Sequence, residues 1–466
     1  MDEMVHARLN TGPETTEAAS TVPSPPGPRS ASRARYAIVG TGSRATMYVD
    51  AICGQYADHC DLVALCDTSS VRTAYHNKRL ASLYQRDEVP CFSADDFDFM
   101  LERCHPDVVI VTTVDAFHHL YIITALQHGC DVVSEKPMTT DAEKVGAVLA
   151  AVEQAQRRLT VTFNYRYAPG FTRLRQVIAE GAIGEPRLVD FSWMLDTSHG
   201  ADYFRRWHRE KPLSGGLLVH KASHHFDLIN WWTGSWPETV FALGSLAFYG
   251  SKAAAGRGES YAYSRYTGNV AGDPFAVDLG RSEMLRGLYR DAELETGYLR
   301  DRNVFGDGIS IEDTMVVRAR YRSGALLNYS LVAYSPWEGL RVAITGDKGR
   351  VELYERHGAH VIEQTPTGAE APDSPEAGPL REILLFPMFH GPVEVEIPAG
   401  KGSHGGDGYM LEQLFGADPP PDRWGWRASH LDGAASVLLG AAANRSIATG
   451  RPVTIEELGV TLPPRP

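Results

Sequence analysis

Residues 36–45 read Tyr36-Ala37-Ile38-Val39-Gly40-Thr41-Gly42-Ser43-Arg44-Ala45. The apolar run before the glycines predicts a buried parallel strand, and the residues after them can form a helix. Gly40 permits a tight turn, Gly42 lets backbone N–H groups approach a pyrophosphate, and Ala45 lets helix and strand pack closely. The stretch therefore predicts the first strand, turn and helix of a dinucleotide-binding domain.

Asp67 strengthens this prediction, because it ends the apolar run Leu62-Val63-Ala64-Leu65-Cys66, 25 residues after Gly42. That is near the spacing expected for a carboxylate that binds the adenosine ribose diol. A carboxylate there repels a 2′-phosphate, so we expect NAD rather than NADP as the cofactor. NADP is not excluded, because three residues that could accommodate this phosphate follow closely: Ser69, Ser70 and Arg72.

Several further motifs follow in order along the chain. They are Thr112-Thr113-Val114-Asp115-Ala116-Phe117-His118, Glu135-Lys136-Pro137, Asn164-Tyr165-Arg166-Tyr167-Ala168-Pro169, Gly181-Ala182-Ile183-Gly184-Glu185-Pro186, and a segment from Gly215 to Asp227. Together with the glycine turn, they resemble the landmarks of the glucose-fructose oxidoreductase / inositol dehydrogenase family (Gfo/Idh/MocA). The resemblance extends over roughly residues 35 to 455. Because several landmarks occur in family order, it is more specific than any single motif.

The resemblance and the strand and helix patterns imply an α/β protein of two domains. Residues 35–160 are expected to form an N-terminal doubly wound Rossmann domain. Residues 161–466 are expected to form a C-terminal α+β domain for substrate binding and oligomerisation, built on an open, mainly antiparallel sheet. We expect a homodimer or homotetramer. Residues 1–34, rich in Ala, Ser, Thr and Pro, are predicted to be a disordered N-terminal extension.

The cofactor residues follow from the glycine turn and from the family motifs. Val114 and Asp115 stand where the family usually has Pro and Asn. The expected NAD-binding residues are Gly40, Gly42, Ser43, Arg44, Ala45, Asp67, Thr113, Asp115, His118, Glu135, Lys136 and Asn164.

The expected catalytic residues are Lys136, His224, His220 and Asp227. The last three follow an i, i+4, i+7 pattern, which places them on one face of a helix. The resemblance implies that Lys136 binds and polarises the reacting hydroxyl or carbonyl while His224 exchanges the proton. A lysine cation can stabilise a developing alkoxide, and histidine titrates near neutrality. His220 stands where the family usually has Asp, which would orient the histidine or raise its pKa, so the usual mechanism does not transfer directly.

A metal is the alternative interpretation of the paired histidines, with Asp227, His404 or Asp407 as further ligands. Spacing alone closes no ligand set, so we predict no metal site.

Two further stretches predict contacts to a carbohydrate or cyclitol. Residues 196–208 are dense in polar donors and aromatic rings, which suit polyhydroxylated ligands. Residues 401–407 are predicted to form a glycine-rich loop that contacts substrate, although such a segment can equally be a surface loop. The expected substrate-binding residues are Lys136, Arg166, Tyr203, Trp207, His208, Lys221, His224, His404 and Asp407.

Composition favours a cytoplasmic enzyme. The 45 basic and 58 acidic residues give a net charge of −13, which offers no general attraction to nucleic acid or anionic membrane. No apolar run approaches the about 18 residues of a membrane span. The six cysteines, all in the first third, show no C-x-x-C spacing and are expected to be reduced.

Three functions remain open on the sequence alone. The leading one is an NAD(P)-dependent oxidoreductase that transfers hydride between nicotinamide and a CH–OH group of a sugar, cyclitol or glycoside. The alternative is an NAD-dependent glycoside hydrolase or lyase that uses transient oxidation and elimination. The third is a non-catalytic, dinucleotide-gated binding module, against which the presence of Lys136 and His224 argues.

Overall fold

A computed structural model describes residues 33–268, 272–359, 380–399 and 406–465. The predicted N-terminal extension, apart from residues 33 and 34, and His404 lie outside these ranges. Within them, no helix is long and apolar enough to cross a membrane.

The strands are β1 (Ala34–Val39), β2 (Cys60–Asp67), β3 (Cys91–Ser93), β4 (Val108–Val111), β5 (Asp131–Ser134), β6 (Leu159–Val161), β7 (Pro186–Asp196), β8 (Pro237–Ser245), β9 (Thr314–Tyr321), β10 (Leu326–Ser335), β11 (Trp337–Gly346), β12 (Gly349–Ala359), β13 (Leu380–Pro387), β14 (Val393–Glu394), β15 (Ala428–Ser429) and β16 (Val453–Thr454).

The helices are α1 (Ser43–Asp50), α2 (Ser70–Tyr84), α3 (Phe97–Cys104), α4 (His118–Gln127), α5 (Ala142–Ala155), α6 (Pro169–Ala179), α7 (Thr197–Arg205), α8 (Lys211–Ser214), α9 (Leu217–His220), α10 (Ala222–Thr233), α11 (Ser251–Gly256), α12 (Glu283–Leu285), α13 (Glu293–Thr296), α14 (Asp407–Phe415) and α15 (His430–Thr449).

The first sheet has the strand order β15-β6-β5-β4-β1-β2-β3. Strands β1 to β6 pair in parallel, and β15 joins β6 antiparallel. The short apolar runs of β1, β2, β4, β5 and β6 are largely buried, as expected for strands between two helix layers, whereas the edge strand β3 is largely exposed. The carboxyl ends of parallel strands meet at one edge, so the loops after β1, β2, β4 and β5 gather there.

The second sheet has the strand order β14-β13-β12-β11-β7-β10-β9-β8-β16. All neighbours run antiparallel except β7 and β10. Burial alternates along β9, so one face of the sheet packs inward and the other is open. The predicted fold class, a doubly wound parallel sheet followed by an open, mainly antiparallel sheet, is confirmed.

Candidate active site

The glycine turn brings the start of α1 against the loop after β4. Gly40 has φ +86°, and a Cβ there would lie 2.6 Å from the Thr113 backbone nitrogen. A side chain at this position would therefore push the two loops apart. Gly42 precedes Ser43, the first residue of α1, and has no side chain to cap the N–H groups of that helix. These N–H groups and the helix dipole fit the pyrophosphate of a dinucleotide.

Asp67 is fixed beside this turn at the carboxyl end of β2. Its Oδ2 accepts from the Thr41 backbone N–H at 2.5 Å and from the Thr41 hydroxyl at 3.0 Å. Its Oδ1 accepts from the Ser69 N–H at 2.9 Å and faces the Arg72 guanidinium at 3.4 Å. A carboxylate held here fits the ribose diol of NAD, as the sequence predicts.

A second carboxylate network joins predicted cofactor residues to the predicted substrate residue Asp407. Glu135 accepts from the Arg44 guanidinium at 2.5 Å and from the Tyr48 hydroxyl at 2.7 Å. Asp407 faces Arg44 at 3.5 Å and accepts from the Asn164 amide at 2.8 Å. Burial raises the pKa of Glu135, but Arg44 and Tyr48 outweigh it and hold that pKa below its ordinary value. Glu135 is therefore ionised, and it fixes the loop that carries Lys136.

Lys136 follows β5 and is joined to Pro137 by a cis peptide bond. Its ammonium donates to the backbone carbonyl of His220 at 3.4 Å. Burial lowers the pKa of Lys136 to about 8, against the opposing charges of Asp115 and Glu135. The lysine therefore keeps its proton at neutral pH and releases it in mildly alkaline solution.

His220 is held by Asp115, and their facing atoms, Nδ1 and Oδ2, lie 2.5 Å apart. Both side chains are buried. Burial raises the pKa of Asp115 well above its ordinary value, and Lys136 opposes this shift. Burial, reinforced by Lys136 and His208, lowers the pKa of His220. Both shifts favour the uncharged forms of the two groups, and the contact with the carboxyl group fixes the imidazole ring.

An aromatic wall, formed by Tyr203, Trp207 and His208, surrounds His220. The His208 ring lies 4.2 Å from His220 between centroids, and Trp207 stacks on His208 at 3.7 Å. Tyr203 contacts His220 edge to face at 5.5 Å. The structure thus brings three predicted substrate residues to one predicted catalytic residue.

His224 lies against Tyr165, with ring centroids 4.2 Å apart and planes at 15°. Its Nδ1 is buried and has no hydrogen-bond partner among the described residues. Burial, reinforced by the positive charges of Lys136 and Lys221, lowers the pKa of His224 well below its ordinary value. Lys221 donates to the Tyr165 hydroxyl at 3.0 Å and lies over the Trp193 ring. His224 is therefore a neutral imidazole at physiological pH.

Asp227 and Arg166 do not join this cluster, contrary to the sequence prediction for both. The Arg166 guanidinium donates to the two carboxylate oxygens of Asp227 at 2.7 and 2.6 Å, and both residues are buried. Arg166 also pairs with Asp432 at 2.8 Å. The helical face predicted for residues 220, 224 and 227 is interrupted at Lys221, between α9 and α10. Because these two opposite charges pair with each other in the interior, Asp227 and Arg166 have a structural role.

His118, a predicted cofactor residue, bridges two loops of the site and does not face into it. One ring nitrogen lies 2.8 Å from the Pro137 carbonyl and the other 3.1 Å from that of Thr113. The imidazole thus ties the loop after β4 to the loop after β5. Within the described ranges, no three His, Cys, Asp or Glu side chains are grouped to hold a metal.

Sequence reasoning missed Tyr289 and Glu295, which contact the starts of α1 and α2. The Tyr289 hydroxyl accepts from the Ser43 N–H at 2.9 Å, and Glu295 accepts from the Ser70 N–H at 2.8 Å. Each contact joins positions more than 200 residues apart, and no motif marks either residue.

Comparison with known proteins agrees with this geometry. The model of an oxidoreductase family with an NAD-binding Rossmann fold matches residues 34–163, and the model of its C-terminal alpha/beta domain matches residues 175–455. This chain belongs to the Gfo/Idh/MocA family. As a member of the family, it is an NAD-binding oxidoreductase.

Individual relatives differ in how much of this Gfo/Idh/MocA chain they match. The Bacillus subtilis (strain 168) protein YteT, named as an oxidoreductase, is 36% identical over 436 residues, which is 90% of this chain and 97% of YteT. Inositol 2-dehydrogenase of Rhizobium meliloti (strain 1021) is 31% identical over 140 residues, 30% of this chain and 40% of that protein. The aldose-aldose oxidoreductase structure from Caulobacter crescentus, complexed with glycerol, has a TM-score of 0.58 at 19% identity, covering 91% of this chain and 100% of that one.

Proposed function

We propose that this oxidoreductase uses NAD to oxidise a secondary hydroxyl of a sugar, cyclitol or glycoside. The observation that carries the proposal is the cluster around Lys136, where a lysine with a pKa of about 8 meets the Asp115–His220 pair beside the glycine turn. The aromatic wall adds rings that can stack on the C–H faces of such a substrate. Relatives named inositol 2-dehydrogenase and D-glucoside 3-dehydrogenase support the substrate class.

Lys136 would bind the reacting oxygen. Its ammonium is a cation on the predicted substrate side, and it stays protonated at neutral pH because its pKa, although lowered by burial, is about 8. A buried cation stabilises the negative charge that develops on oxygen as the hydroxyl proton leaves. When bound, the nicotinamide of NAD supplies the hydride acceptor.

His224 would accept the proton. Its imidazole is neutral because burial and two nearby lysines lower its pKa, so it has a free nitrogen lone pair at pH 7. The stacking contact with Tyr165 fixes the plane of the ring. A positioned base of this kind typically contributes about 10²–10⁴-fold to the rate.

The experiment compares Lys136→Met with Lys144→Met as the matched control. Lys144 pairs with Asp141 at the start of α5 and touches none of the cluster. With a panel of aldoses, inositols and glycosides, NADH formation at 340 nm should fall about 10³-fold or more in Lys136→Met and stay at wild-type rate in Lys144→Met. Unchanged turnover in Lys136→Met would refute the role of the lysine.

A second candidate function is redox-assisted glycoside cleavage, favoured by the extra acid-base pair Asp115–His220. Oxidation of a ring hydroxyl to a ketone acidifies the neighbouring C–H. One base can then take that proton while a second group protonates the departing aglycone oxygen, and return of hydride and addition of water complete the cycle. His224 and His220 would divide these roles. Net consumption of NAD separates the two functions.

A further inference from the structure

A remote segment packs against the starts of the two helices that follow β1 and β2, where predicted cofactor residues lie. Residues 279–300, which we call the cover segment, lie between β8 and β9 and contact the starts of α1 and α2. The Tyr289 hydroxyl binds Ser43, as described above. The Leu288 carbonyl accepts from the Arg72 guanidinium at 3.0 Å. A Cβ at Gly287 would lie 2.6 Å from the Tyr75 ring, so the segment packs tightly on α2.

Glu295, in α13 of this segment, binds the first turn of α2. Its carboxylate accepts from the Ser69 hydroxyl at 2.5 Å, from the Ser70 N–H at 2.8 Å and from the Val71 N–H at 3.4 Å. These hydrogen bonds lower the pKa of Glu295 to about 2. The carboxylate is therefore ionised throughout the working pH range.

Glu295 and Asp67 contact the hydrogen-bond donors and the arginine that could otherwise bind a 2′-phosphate. Asp67 ends β2 and is placed for the ribose diol, so a phosphate on the 2′-oxygen would meet the turn that follows. In that turn, Ser69 and the Ser70 N–H are bound by Glu295. Arg72, the adjacent cation, faces Asp67 and binds the Leu288 carbonyl.

We propose that Glu295 is a specificity-determining residue, which excludes the 2′-phosphate of NADP and so selects NAD. The carboxylate takes the hydrogen-bond donors at the start of α2 and places a like charge against the phosphate. Like charges brought together in this way weaken binding. The inference rests on the NAD-binding fold and not on the identity of the substrate.

The test is calorimetric titration of wild-type protein, Glu295→Gln and Glu295→Ala with NAD⁺ and with NADP⁺. ADP-ribose and its 2′-phosphate serve as further probes that involve no hydride transfer. Glu293→Gln is the matched control, because Glu293 lies in the same short helix and pairs with Arg265, away from α2. We expect the affinity for NADP⁺ relative to NAD⁺ to rise about tenfold or more in both Glu295 variants. Glu293→Gln should keep the wild-type ratio.

The proposal is overturned if both Glu295 variants, with unchanged melting temperature, keep the wild-type ratio of the two affinities. It is equally overturned if Glu293→Gln shifts the ratio as much, since the effect would then be one of general charge. If instead the oxidation of carbohydrates proves wrong, the binding ratios are unaffected, so the two failures are distinguishable.

Discussion

Two residues that depart from the family pattern contact each other. Asp115 stands where the family usually has Asn, and His220 stands where it usually has Asp. In the structure their side chains meet at 2.5 Å, so the carboxyl group that the family usually has on the helix is supplied from the loop after β4. The sequence showed both departures, but it could not show the contact, because the partners lie 105 positions apart.

We predict that the two substitutions are strongly non-additive. Asp115→Asn and His220→Asp alone should each lower kcat about 10²-fold, because each leaves an acid-base group without its partner. The double variant, which restores the usual family pair, should lose no more than either single variant. Steady-state kinetics on the best substrate of the panel, with KM and pH profile, measures this. If the fold-losses in kcat of the two single variants multiply in the double variant, the pair does not act as a unit.

The pKa of Lys136 sets the pH dependence of the reaction. Binding the developing alkoxide needs the protonated amine, so kcat/KM should fall as pH rises through about 8. His224 has a lowered pKa and stays neutral, so it should cause no loss down to at least its ordinary value of about 6.5. The check is a profile from acid to alkaline pH for wild type and Lys136→Arg. The alkaline fall should disappear in the arginine variant, and its persistence would assign the titration to another group.

At the scale of elements, the Arg166–Asp227 pair ties three parts of the chain together. Arg166 lies in the turn Asn164–Tyr167, Asp227 in α10, and Asp432 in the first turn of α15. Helix spacing placed Asp227 with His220 and His224. Spacing along one helix, however, does not show which arginine of another element pairs with a carboxylate on that helix. The distant partner gives this carboxylate a structural role.

Asp227→Asn should therefore destabilise the fold by about 3 kcal/mol, since the buried Arg166 would keep only Asp432 as a charged partner. Asp131→Asn, which breaks the more exposed pair with Arg158, should cost less than about 1 kcal/mol. Denaturant unfolding measures both, and kcat of the folded Asp227 variant should stay near wild type. A large loss of kcat with unchanged stability would return Asp227 to the catalytic residues.

Elements with a strong local pattern were predictable, and those that depend on remote contacts were not. The strand Thr314–Tyr321 alternates with period two, and α15 ends at Thr449 before Gly450, both as the sequence indicates. The cover segment has no such pattern, because its helices are one turn long and owe their position to α1 and α2. Motifs in the sequence name Lys136 and His224, which the structure places in the candidate site, whereas no motif names the cover-segment residues that contact α1 and α2.

At the scale of the whole molecule, the open face of the second sheet is the expected oligomer interface. Leu243 and Val316 are cross-strand partners on this face and are 56% and 47% exposed. Leu326 lies on the same face and is 49% exposed. Exposed apolar side chains on an open sheet face are typical of surfaces covered by another copy.

We predict a homodimer or homotetramer that Val316→Asp shifts towards monomer, because burying an unpaired charge at an interface is costly. Light scattering after size-exclusion chromatography gives the mass. Glu238→Asp, a conservative change of an exposed residue in β8, is the control and should leave the mass unchanged. If the wild type is a monomer at micromolar concentration, or if Val316→Asp leaves the oligomer unchanged, this face is not the oligomer interface.

The most direct test of the proposed oxidation is a stoichiometry of NADH against product. The purified protein is incubated with the sugar, inositol and aryl glycoside panel at limiting and at excess NAD⁺, and absorbance at 340 nm is followed beside product mass. We expect one NADH for each product, with the product two mass units lighter than its substrate because a CH–OH group has become a carbonyl. Many turnovers of released aglycone at limiting NAD⁺, without NADH accumulation, would contradict net oxidation and assign the cluster around Lys136 to redox-assisted cleavage.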